Sequence, residues 1–227
     1  MSRLAAVLAF TGERVTPAIR WLPRPTTAGE AACWSLPALA GRLVELSGHG
    51  ASAALSLTFP LVLDAQQRRE TVAWVACHGS SFFPPDAAAG GIDLEQLPVV
   101  FAPTAPAAVR AGEKLLRCGA FGLVVIDLVR LAPDAAGRAI ATVPQPLLAR
   151  LAGLADRHDA TVVVLTDRAA DRPSLGSPVS LRAMASRLTP LPPQRPGRYT
   201  CRLEAIKDRR HPPGWSHEEF RSGPPGL

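Results

Sequence analysis

The sequence predicts an α/β domain built on a mostly parallel central sheet flanked by helices, and three observations predict it. Short unbroken apolar runs, TVAWVAC (71–77), FGLVVIDL (121–128) and TVVVLTD (161–167), have the length and β-branched content of strands buried on both faces. Segments with helical periodicity lie between them: PAAVRAGEKLLRCG (106–119) ends at a glycine, and QPLLARLAGLADRH (145–158) puts Leu147, Leu148, Leu151 and Leu154 on one face. Finally, 227 residues at 47% hydrophobic and 19% charged are enough for a full core. Strands alternating with amphipathic helices imply parallel strands covered by helices.

The elements follow in order. Residues 1–40 read as an irregular segment with one short helix, broken by Pro and Gly in WLPRPTTAGEAACWSLPALA. RLVEL (42–46) is the first strand; a glycine-containing turn follows, then a helix over 52–66 that Pro60 is expected to bend. TVAWVAC is the second strand, LPVVFAP (97–103) the third, FGLVVIDL the fourth and TVVVLTD the fifth. RAADRPSLGSPVS (168–180) reads as a loop. LRAMASRLTPL and RYTCRLEAIKD then alternate as an antiparallel strand pair joined by the turn PPQRPG. The core domain thus spans 41–207, and the Pro/Gly-rich stretch 208–227 reads as a partly disordered tail.

Composition narrows the function classes. The formal net charge is +6 and lysine occurs only at Lys114 and Lys207, so the basic character is arginine. Such a domain suits nucleic-acid or acidic-protein partners; biased codon usage with dispersed charges explains it equally well. The cysteines Cys33, Cys77, Cys118 and Cys201 are far apart in apolar contexts with no CxxC spacing, which reads as buried reduced thiols in a cytoplasmic protein. No cleavage site follows the opening apolar run, and no run approaches the roughly 18–20 residues that span a membrane. Cys77 and His78 would point to opposite faces of a strand, so they do not suggest a metal site. Gly50-Ala-Ser52 is no hydrolase elbow, because Ser52 lies six residues beyond Leu46; the serine suits a cap for the following helix.

GRLVELSGHGASAALSL has the frame of a strand, a phosphate-binding loop and its helix. TVAWVACHGSSFFPP, GIDLEQLPVV, AVRAGEKLLRCGAFGLVVIDLV, ATVVVLTDR and YTCRLEAIKDRR follow in the order of the bacterial RecA core, which the chain resembles over roughly 41–210. The resemblance implies a RecA-like P-loop fold, and the departures from its pattern imply loss of its chemistry. A phosphate loop needs backbone N–H groups at a helix start, a Lys for the phosphates and a Ser/Thr for Mg²⁺. Counting from Gly48, the last loop glycine becomes Ala53, the Lys becomes Ala54 and the Ser/Thr becomes Leu55. His78 stands at the catalytic acid position, Thr166 at the sensor position, and the Walker B-like Asp127 has no metal partner. The expectation is a pseudo-ATPase with no catalytic residue, no cofactor and no metal.

A RecA shape without nucleotide chemistry resembles the ImuA family, the RecA-like accessory proteins of bacterial damage-induced mutagenesis. That likeness implies a non-catalytic role in translesion synthesis, with RecA, an ImuB-like protein or an error-prone polymerase as partners. A second resemblance, to SulA-type division inhibitors, would make FtsZ the partner. Lys207 and Arg209, with Arg210 adjoining, match the basic strand end that in the RecA family reaches a neighbouring protomer, and so become interface candidates. Trp215 and Phe220 in the tail would either anchor in a partner's pocket or fold over the sheet edge. Arg130, Arg138, Arg168 and Arg172 lie where recombinases bind DNA and would give weak single-strand contacts, or else are solvated loop arginines.

Overall fold

The computed structural model describes residues 33–49, 52–77, 80, 82–129, 143–188 and 198–222. Five α-helices and eight strands follow one another as α1 (Leu36–Leu39), β1 (Leu43–Gly48), α2 (Ala54–Gln67), β2 (Thr71–Cys77), α3 (Pro84–Ala89), β3 (Val99–Ala102), α4 (Ala105–Arg117), β4 (Phe121–Asp127), α5 (Gln145–Arg157), β5 (Thr161–Asp167), β6 (Leu181–Leu188), β7 (Arg198–Asp208) and β8 (Ser216–Ser222). All eight strands join one sheet in the order β3-β2-β4-β5-β1-β6-β7-β8. The first six of that order run parallel; β7 is antiparallel to β6, and β8 is antiparallel to β7.

The fold follows from burial on two faces. Val44, Leu46, Trp74, Val125, Val163 and Leu165 pack beneath α1 and α2, while Val75, Ile126, Val162 and Val164 pack beneath α4 and α5. The two clusters use alternate residues of the same strands, which is why β2, β4 and β5 carry unbroken apolar runs. Thr104 caps α4 by accepting from the Ala107 N–H.

Pro60 lies inside its helix, as expected: α2 runs from Ala54 to Gln67 around it. The C-terminal stretch is not a disordered tail as far as Ser222, because β8 pairs with β7 from Arg198↔Ser222 to Glu204↔Ser216. Its polar residues are accommodated by pairing, with His217 Nε2 2.8 Å from Glu219 Oε1 and Arg221 donating to the same carboxylate. α3 was not anticipated, and Cys118 is exposed rather than buried, its thiol donating to the Leu115 carbonyl. The PPQRPG turn and residues 1–32 lie outside the described residues.

A buried ion pair fastens the antiparallel strands to the parallel ones. Arg42, just before β1, contacts Asp208 at the end of β7 at 2.5 Å, and both side chains are sealed from solvent. Asp208 also accepts from the Arg210 N–H at 2.8 Å and Trp215 Nε1 at 3.0 Å. Burial works to push the carboxyl's pKa up. The hydrogen bonds from the Arg210 N–H, Arg42 and Trp215 outweigh this and hold the carboxyl down at about 2.

Candidate functional site

In open α/β sheets ligands bind outside the carboxyl ends of the parallel strands. Here that edge carries Gly48 and His49 after β1, Cys77 at the end of β2, Asp127 at the end of β4 and Asp167 at the end of β5. Register places Gly48 beside Asp167, Leu165 beside Asp127 and Ala76 beside Asp127, so all lie within four adjacent strands.

Ser52, itself exposed, serves the start of α2. Its Oγ accepts from the Ala54 N–H at 3.2 Å, one residue before the formal cap Ala53. The same side chain lies against Gly48: a β-carbon on that glycine would collide with Ser52 Oγ. Ala53 and Ala54 are buried in the core, and Leu55 packs on it. The positions that would present an ammonium group and a metal-binding hydroxyl therefore face an apolar interior. No charged residue stands in the first turn of α2.

Asp127 is fully buried and acts as an acceptor for loop structure. Ser80 Oγ donates to it at 2.6 Å and the Val129 N–H at 3.0 Å, while Ser80 Oγ accepts from the Phe82 N–H. The carboxylate thus holds the chain leaving β2 to the end of β4. Burial first, and then the nearby Asp127 charge, push the Cys77 thiol up to about 11, so it is no nucleophile at neutral pH. His78 lies outside the described residues, as do Arg130 and Arg138. His49 Nδ1 is 3.0 Å from Asp167 Oδ1, and both groups are exposed.

Thr166 leads into a buried polar network that sequence reasoning missed. Its hydroxyl donates to Glu45 Oε1 at 3.2 Å and sits 3.2 Å from Ser47 Oγ. Glu45, at the centre of β1, also accepts from Ser174 Oγ at 2.6 Å and the Leu175 N–H at 2.9 Å, with Arg182 Nε 4.0 Å away. Arg182 in turn donates to the carbonyls of Arg172 and Ala169. The network clamps loop 168–180 onto the sheet. Arg168 belongs to it, 3.9 Å from Glu45 and donating to the Pro173 carbonyl, so it is turned inward, whereas the Arg172 side chain is exposed. The available signal was a lone glutamate inside the apolar strand LVELSG.

The basic stretch after β7 lies at the other end of the sheet, beside Arg42. Six residues separate Arg42 from Gly48, roughly 20 Å at strand spacing. Lys207 is half-buried, its ammonium acidified by burial and then by Arg209, with Glu45 opposing. Arg209 donates to the Ser177 carbonyl, and Arg210 is exposed. Trp215 folds onto the core and binds Asp208, while Phe220 is 39% exposed. A cavity of about 300 Å³ at this same end is lined by Leu36, Glu70, His158, Asp159 and Thr161, remote from the carboxyl edge.

No protein-family model matches the chain, and no curated protein matches it. Among the described residues no helix is long and apolar enough to cross a membrane.

Proposed function

We propose that this chain is a non-catalytic RecA-like protein that acts by protein–protein contact in damage-induced translesion DNA synthesis. Its partners on this reading are RecA, an ImuB-type polymerase homologue, or both. The observation that carries it is the start of α2: Ser52 against Gly48, with Ala53, Ala54 and Leu55 in apolar packing. That arrangement offers phosphates no cationic side chain, so a nucleotide cycle is not what the frame serves. Asp127 supports the same view, because its oxygens are engaged by Ser80 and the Val129 N–H.

The surface available for contact includes Arg210 beyond β7, next to Lys207 and Arg209, which are partly held by their own fold, and separately Phe220 on β8, opposite Thr200 toward the other end of β7. Trp215 serves the fold, fastened to Asp208. The direct test is binding of the purified chain to immobilised RecA, to an ImuB-type protein and to FtsZ, with and without ATP. Nucleotide-independent binding to either of the first two is expected and should weaken in Phe220→Asp. Binding to FtsZ alone would replace this reading with a division inhibitor.

A further inference from the structure

α4 and α5 lie side by side over one face of the sheet, and their outer surface carries a charge pattern that packing does not explain. Arg110, Lys114 and Arg117 of α4 are all exposed. At 100° per residue these three fall within roughly 60° of one another around the helix. They lie opposite the buried Ala108, Gly112 and Leu116. On α5, Arg150 and Arg157 are exposed and seven residues apart, so they too share a side, within roughly 20°.

The two rows are neighbours. Glu113 Oε1 lies 3.2 Å from Arg117 Nη2 and 3.5 Å from Arg150 Nε, which ties α4 to α5 between the rows. Glu113 is the only acidic residue of α4. The single acid of α5, Asp156, stands roughly 120° around that helix from Arg150, beside Gly41. The face therefore presents five cations against one carboxylate.

Ordinary roles cover part of this set. Basic residues in a last turn complement the helix dipole, which suffices for Lys114, Arg117 and Arg157; Glu113 accounts for Arg150. Neither explanation reaches Arg110, in the middle of α4. Ala149 and Gly153 on α5 are small and exposed, so a rigid backbone can approach that helix closely. There is no aromatic side chain on α4 or α5 for a base to stack on.

We propose that the α4–α5 face binds the phosphate backbone of a nucleic acid without reading its bases. A phosphate backbone matches two regular rows of cations with one carboxylate between them. Without stacking platforms the face has no reason to prefer single strands. This inference rests on the charge layout of two helices and stands independently of the adaptor reading. It also differs from weak contacts through Arg130 and Arg138.

The test is fluorescence anisotropy of full-length protein with a labelled duplex of about 25 base pairs and its single strand, titrated across potassium chloride concentrations. Arg110→Gln/Lys114→Gln/Arg157→Gln leaves the Glu113 pairs in place, and circular dichroism checks its folding; Arg130→Gln/Arg138→Gln is the loop control. Duplex binding at least as tight as single-strand binding is expected. The slope of log affinity against log salt should fall by about 2.7 in the triple variant, at about 0.9 per phosphate contact, with the loop control unchanged. Wild-type slope in the folded triple variant, or no duplex binding at low salt, would overturn the proposal. So would displacement by polyglutamate as readily as by unlabelled duplex, which would assign the face to an acidic protein.

Discussion

Replacing Asp208 by Asn should be among the most damaging single changes outside the apolar core, and the damage should depend on pH. The carboxylate and Arg42 are both sealed from solvent, so removing the negative charge strands a buried guanidinium. Breaking such a pair costs about 3–5 kcal/mol. The size can also be approached from the carboxyl itself, held at about 2 against an ordinary 3.8. At 1.36 kcal/mol per unit, that differential is worth about 2.5 kcal/mol. A depressed acid contributes its stability above the unfolded value and loses it as pH falls through the folded one, so the window runs from about pH 4 down to 2. The assay is equilibrium urea unfolding followed by tryptophan fluorescence at pH 7, 5, 4 and 3. The gap between wild type and Asp208→Asn should be about 3 kcal/mol at pH 7. It should be narrower by about 1 kcal/mol at pH 3, where roughly half of the carboxylate's contribution has gone. A gap below about 0.5 kcal/mol at pH 7, the usual size for an exposed site, would refute the reasoning, as would one that ignores pH.

Three further outcomes follow from the same geometry. Ala54→Lys should not restore ATP turnover in a phosphate-release assay and should lower the melting temperature, because it forces an ammonium into a site that is 4% exposed; measurable turnover would show that the helix start opens. Glu45→Gln should weaken the clamp on loop 168–180 and cost about 2 kcal/mol, the range for a broken charged hydrogen-bond network, read as faster cleavage of that loop by a protease with stability measured alongside. In a thiol-labelling experiment at pH 8, Cys118 should react in the native protein while Cys77 and Cys201, buried and raised by burial, react only on unfolding; equal native rates would contradict their placement.

Legibility in the sequence varied with the physics of each element. β2 and β5 were readable to the residue, because strands covered on both faces are apolar throughout and bounded by polar turns. β8 was not, because the face it turns inward is His217, Glu219 and Arg221, which satisfy one another while Phe220 points out. Apolar periodicity has nothing to report in such a strand. Pro60 stands inside α2, as the helical spacing over 52–66 led one to expect. At the carboxyl edge, that Ala53, Ala54 and Leu55 carry no glycine, lysine or hydroxyl was plain from the sequence. That Ser52 fills the space beside Gly48 needed coordinates, as did the inward turn of Arg168 toward Glu45. Glu45 itself was visible as a charge within a buried strand, but its partners come from three other segments, the last of them 137 positions along the sequence.

Whether the frame serves a partner rather than a nucleotide is tested most directly by a crosslinked pull-down of the tagged full-length chain from cells with and without DNA damage, with bound proteins identified by mass spectrometry. Damage-dependent recovery of RecA, an ImuB-like protein or an error-prone polymerase is the predicted result. Recovery of FtsZ without any of these would contradict it.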